Sequence, residues 1–102
     1  MAYTPQTLIT ATTAAVNSVA FRIGPEDVGS VIQGFGFSTD TIDIARSYDG
    51  GTTFADYYKD GTQQQLSDTN TAVKIVAVGF YQLQKGVTTG TVGATLDRAH
   101  LI

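Results

Sequence analysis

The sequence predicts an all-β protein: a single-domain antiparallel β-sandwich, jelly-roll or immunoglobulin-like, with about seven or eight strands. Three observations predict it. Apolar and polar residues alternate with a period of two over most of the chain, and no window of helical length carries an i, i+3, i+4 apolar stripe. Thr, Val and Gly, residues of strands and turns, are abundant throughout. Turn-forming clusters recur every ~8–12 residues, the spacing of a sandwich or small barrel; they stand at GPEDVG (24–29), STD (38–40), DGG (49–51), KDG (59–61), SDTN (67–70) and KGVTTG (85–90).

Taken in order, the N-terminal TPQTLITATTAA is rich in Thr and Ala, with only Leu8 and Ile9 to bury. Residues 1–15 are therefore expected to be an arm or an edge strand, and residues 16–102 the sandwich domain. AVNSVAFRI gives a strand with Val19, Phe21 and Ile23 on one face. PEDV has room for one helical turn, because Pro25 suits a first helical position. In SVIQGFGF, Val31, Gln33, Phe35 and Phe37 share one face, while Ile32, Gly34 and Gly36 share the other, which suggests a strand closely approached by another backbone. In DTIDIARSYD, Ile42, Ile44 and Tyr48 alternate with Asp43, Ala45 and Ser47, and Arg46 interrupts the apolar face. TAVKIVAVGFYQLQK reads as two strands joined near Val78 and Gly79, or one strand bulged there. TVGATLD places Val92, Ala94 and Leu96 together on a last strand.

Length and charge narrow the function. A chain of 102 residues affords one core. Six basic residues against nine acidic ones give a net charge of −3, and Arg22, Arg46, Lys59, Lys74, Lys85 and Arg98 are scattered singly. Nucleic acid, which is gripped through clustered Lys and Arg, is not an expected partner. There is no Cys, so disulfides, thiolate metal sites and a Cys nucleophile are excluded. The opening residues lack the pattern of a signal peptide, and no run approaches the ~20 apolar residues of a membrane helix. A soluble chain made in the cytosol, with no membrane partner, is the expectation.

The stretch RSYDGGTTFADYYKDGT, residues 46–62, gathers acids, glycines and aromatics and is the first place to look for a site. Ser47, Asp49, Gly51, Thr53 and Phe54 match the Ser-x-Asp-x-Gly-x-Thr-aromatic pattern and resemble the Asp-box hairpin of sialidase-like propellers. That resemblance covers eight residues and implies a structural corner; a single copy builds no propeller. The residues themselves give the same reading, with Asp49 accepting backbone N–H groups, Gly50 and Gly51 taking positive φ, and Phe54 returning to the core. Asp60 and Gly61 form a second reversal. Asp49, Asp56 and Asp60 lack the ligand spacing of a calcium loop, so no metal is expected. His100, the third residue from the end, is the sole His and offers no credible triad. No paired carboxylates stand out either. Neither an enzyme nor a bound cofactor is expected.

Candidate contact residues are Tyr57 and Tyr58, of which alternation leaves only one facing outward, and the terminal His100, Leu101 and Ile102, an otherwise exposed apolar end. An outward Tyr also suits stacking on a sugar ring. The order IDIARSYDGGTTFADYYKDGTQQQLSDTNTAVKIVAVGFYQLQK runs through a strand, the S-x-DGGTTF turn, a DGT turn, a Thr/Asp/Asn turn and an apolar strand carrying Y-x-L. Over about residues 40–96 it resembles the small β-sandwich virion proteins of tailed bacteriophages, including head decoration (cement) proteins. The resemblance transfers no catalytic residue. It implies a virion protein, made in the host cytoplasm, that docks on the outside of the capsid against the major capsid protein and stabilises the head. It also implies a homo-oligomer, such as a trimer. The alternative is a carbohydrate-binding or host-adsorption module of a head or tail fibre.

Overall fold

The computed structural model describes residues 5–99. In chain order its strands are β1 (Gln6–Thr12), β2 (Val16–Asn17), β3 (Phe21–Ile23), β4 (Val31–Phe35), β5 (Thr41–Ser47) and β6 (Phe54–Asp56). They continue with β7 (Tyr58–Lys59), β8 (Thr62–Gln63), β9 (Gln65–Ser67), β10 (Ala72–Lys74), β11 (Gly79–Lys85) and β12 (Val92–Asp97). A single 3₁₀ turn, Pro25–Asp27, follows β3, with Pro in its first turn.

One sheet has the order β1-β12-β4-β10. The other is built on the long pair β11 and β5, with β2 and β3 beside β11, and β6 and β9 beside β5. All of these pairings are antiparallel. Because β2 and β3 act as one broken strand, and β6 and β9 as another, ten strands fill eight positions in two packed sheets, with β7 and β8 a separate hairpin. The chain changes sheet at every connection between these positions except the turn from β5 to β6. That alternation is the jelly-roll topology and excludes the immunoglobulin-like order.

The core lies between the sheets. Ile32, Val92, Ala94 and Leu96 face inward from one side, Ile42, Ile44, Tyr81 and Leu83 from the other, and all eight have no exposed surface. Each buried Ile or Leu contributes about 1.5–3 kcal/mol of apolar transfer. β1 adds both Leu8 and Ile9, adjacent residues that a regular strand sends to opposite faces; the register shifts after Thr7 allow both to point in. Within segment 1–15, residues 6–12 are thus an edge strand on β12; residues 1–4 lie outside the described part.

Three side chains, Val19, Phe37 and Tyr48, leave the faces that periodicity assigned them. Val19 is 72% exposed while Phe21 and Ile23 are buried. The strand breaks between β2 and β3, where Ser18 donates its N–H to the Leu83 carbonyl and accepts the Leu83 N–H on its hydroxyl, both at 2.9 Å. A side chain fills a place in the ladder, and the residue after it swings out. In β4 the Ile32 and Gly34 face is the inward one, so Phe35 turns outward. Phe37 then folds back over Gly34, where an added Cβ would sit 2.6 Å from the Phe37 ring. Tyr48, past the end of β5, is 70% exposed.

Candidate docking surface

The stretch 46–62 builds two different reversals. In the first, Asp49 Oδ1 accepts the N–H of Thr53 at 2.8 Å, the N–H of Thr52 at 3.2 Å and the Ser47 hydroxyl at 2.8 Å. The Ser47 oxygen in turn accepts the N–H groups of Gly51 and Asp49. Gly50 and Gly51 hold φ of +79° and +100°, a region that costs other residues Cβ strain. The register Phe80↔Ser47↔Phe54 puts these three residues side by side, on the face of the sheet opposite Ile44. Phe54, expected in the core, is therefore half-buried against the outer face. Pairing decides this: Phe54 sits opposite Ser47, one position out of phase with the inward residues of β5.

The Thr53 N–H and then the Ser47 hydroxyl hold the Asp49 carboxyl down at about 2. Its folded value lies below that of an unfolded Asp, ~3.9, so its stabilisation is present above that pH and is lost as pH falls towards 2. Asp49→Asn is expected to flatten the dependence of melting temperature on pH over this window. A slope equal to that of the unchanged chain would show that Asp49 is not the titrating lock.

The second reversal is a hairpin thrown out of the sheet edge. Asp60 and Gly61 have φ of +55° and +78° between the pairs Tyr58↔Gln63 and Lys59↔Thr62. This is a two-residue turn of the primed kind that Asp-Gly favours. At its root, Tyr57 donates its N–H to the Ile44 carbonyl and accepts the N–H of Gln64, while Ile44 donates to Gln64. The hairpin thus replaces the middle of the edge strand formed by β6 and β9.

Tyr57, a candidate contact residue from the sequence, is only 3% exposed and is withdrawn from that role. Its ring meets Tyr81 edge-on, with centroids 5.3 Å apart. Tyr58 is 56% exposed on the hairpin. His100, Leu101 and Ile102 lie outside the described residues.

What the pattern missed is the end of the sandwich formed by the 24–30, 48–53 and 75–78 connections. Val28, Tyr48, Val76 and Val78, each at least 40% exposed, lie on these connections. Their backbone is pinned. The Gly29 N–H bonds the Ile75 carbonyl at 2.8 Å and the Ile75 N–H bonds Ser30 at 2.8 Å. The Tyr81 hydroxyl donates to the Ala77 carbonyl at 2.7 Å, and Arg46 donates to the Val78 carbonyl at 2.8 Å. Arg46 does interrupt the apolar face, but its guanidinium lies 5.5 Å from the Tyr48 ring centre and 5.9 Å from that of Tyr81. Gly79 makes room for it: an added Cβ there would lie 3.1 Å from Arg46 Nε. Between β10 and β11, Ile75 points in while Val76 and Val78 point out. The signal was in IVAV, whose alternation is regular although its strand has already ended.

The same end is closed by Arg98, which donates to Asp27 at 3.1 Å, to the Arg22 carbonyl and to Gln6. Both β1 and β12 are thereby tied to the 24–30 connection. A polar cleft of about 310 Å³ lies at the opposite end, lined among others by Thr39, Asp40, Asp43, Gln84 and Thr88. Asp40 is occupied there, since it accepts the N–H groups of Thr89, Gly90 and Ser38. The Thr89 and Gly90 bonds hold its carboxyl below the usual value. Tyr48 is a β5 length away, ~20 Å, and no aromatic lines the cleft. The polar cleft and the exposed Tyr48 thus lie at opposite ends of the sandwich.

Among the described residues no three His, Cys, Asp or Glu side chains come together to hold a metal ion, and no helix is long and apolar enough to cross a membrane. No family model matches the chain, and neither does any curated protein or solved structure.

Proposed function

We propose that this chain is a structural virion protein of the capsid-decoration type, which binds the outside of a phage head and stabilises it through protein–protein contacts. The observation that carries the reading is the pinned apolar end formed by Val28, Tyr48, Val76 and Val78. Exposed apolar side chains on a backbone already held by hydrogen bonds lose little freedom on docking, so more of their burial appears as affinity. The occupant assigned to this end is the outer surface of the major capsid protein, with Tyr48 as its aromatic anchor. The likeness of residues 40–96 to phage decoration proteins points the same way. The jelly roll alone does not, because lectins and cupins share it. The chain acts on the capsid surface as a homo-oligomer and performs no chemistry.

The test uses heads lacking the chain, mixed with purified protein and sedimented. The unchanged chain is expected to travel with the heads and raise the temperature at which they rupture. The double variant Tyr48→Asp, Val76→Asp is expected to bind at least about tenfold more weakly, with its melting temperature little changed because both side chains are exposed. An unchanged chain that stays in the supernatant overturns the reading.

A further inference from the structure

The jelly roll leaves four strand edges, and they are not alike. β10 is three residues long and carries Lys74. The β6 and β9 edge is interrupted by the β7–β8 hairpin and carries Asp56. The β2 and β3 edge is broken at Ser18 and holds Arg22. Short strands, charges and interruptions are the usual protection of an edge. β1, with the sequence QTLITAT, is seven residues long and has neither charge nor Pro. Its bulges are its one protective feature, and they disfavour a long regular ladder with another strand.

Among the described residues, β12 is the one strand that pairs with β1. A cleft of about 550 Å³ runs between β1 and β2, lined by Leu8–Thr12 and Val16–Val19. Val16 and Val19, 39% and 72% exposed, belong to its wall. The first charged residue of the chain is Arg22, so all nine lining positions fall within an uncharged run. The charged side chain beside it in space, Lys85, is 3% exposed and donates to the Ala14 carbonyl, so its charge is not displayed on the face.

We propose that this face is the self-association surface of the protein, with a second copy related by a two-fold axis as its occupant. Charge selects that occupant. A second copy brings the same net charge of −3, so two copies repel through any face that displays it and approach best through the uncharged one. A different protein would meet no such restriction. The face also carries both halves of an isologous contact, projecting Val16 and Val19 beside an apolar cleft, so that each copy covers the other's. Self-association of this kind needs no capsid, and it stands or falls separately from head binding.

Light scattering on the purified chain at micromolar concentration is expected to give twice the 10.8 kDa of one copy. Val19→Asp, and separately Thr10→Lys, are expected to bring the mass down to one copy with far-ultraviolet circular dichroism unchanged, since both positions are exposed. Thr62→Asp, exposed on the β7–β8 hairpin at the opposite edge of the sandwich, is expected to leave the dimer intact. A single-copy mass for the unchanged chain overturns the proposal, as does a dimer that survives Val19→Asp. A three-copy mass overturns the two-fold arrangement. A monomer that loses head binding on Val19→Asp assigns the face to the capsid instead and equally overturns it.

Discussion

Tyr57→Ala is expected to lower the stability of the fold by about 3–5 kcal/mol, whereas Tyr58→Ala, one residue on, changes it by less than about 0.5 kcal/mol. Both are tyrosines in the same short segment, and burial alone separates them. Tyr57 is 3% exposed, with its ring edge-on to the fully buried Tyr81, so truncation leaves a cavity at the centre of the molecule. Tyr58 is 56% exposed on the hairpin, where it pairs with Gln63. The Tyr57 backbone also anchors the hairpin to Ile44, and core relaxation after truncation would loosen that root. Against a total stability of about 5–15 kcal/mol, the loss leaves little margin. Urea unfolding of the three proteins measures it. Equal midpoints for Tyr57→Ala and Tyr58→Ala would show that Tyr57 is not part of the core.

Gly36→Ala is expected to cost about 2–5 kcal/mol, while Gly50→Ala costs only about 1–2 kcal/mol. The two glycines have nearly the same backbone, with φ of +83° and +79°. They therefore share the strain of placing a Cβ in the left-handed region. Their surroundings differ. At Gly50 nothing lies within 4 Å of an added Cβ, whereas at Gly36 that atom would fall on the Thr91 carbonyl oxygen. Gly90 is the reciprocal case, because its Cβ would fall on the Gly36 carbonyl oxygen. The 36–40 and 86–91 connections pass each other backbone to backbone, and a methyl group forces them apart at the start of β12. Both variants unfolded in urea, with the Gly50 cost subtracted from the Gly36 cost, measure that contact alone. Equal costs would mean that the loops give way freely.

Much of the fold was legible because its signals are local. The Asp60-Gly61 pair specifies a primed two-residue turn through the φ values those residues tolerate. Ser47, Asp49 and the two glycines specify the first reversal through bonds reaching no more than four residues. Period-two alternation marked nearly every long strand, and the absence of a helical stripe marked the class. Within the candidate surface, local chemistry accounts for Tyr58 but not for Val28, Tyr48, Val76 or Val78. Their exposure depends on where three separate connections meet.

Alternation states that a strand has two different faces but not which of them will be covered. β4 offered Phe35 on one face and Ile32 on the other; Ile32 went inside because Gly34 beside it leaves room for Phe37 to fold back. Phe54 missed the core because its pairing with Ser47 set it on the outer side of β5. The jelly-roll order itself rests on pairings such as β1 with β12, about ninety residues apart, which no short pattern encodes. By itself the sequence determined an all-β chain, its turns, and an uncharged first strand. Tertiary pairing decided the sheet order, which tyrosine is core and which is surface, and the apolar end that the protein presents, because burial belongs to the partner a strand acquires and not to the strand alone.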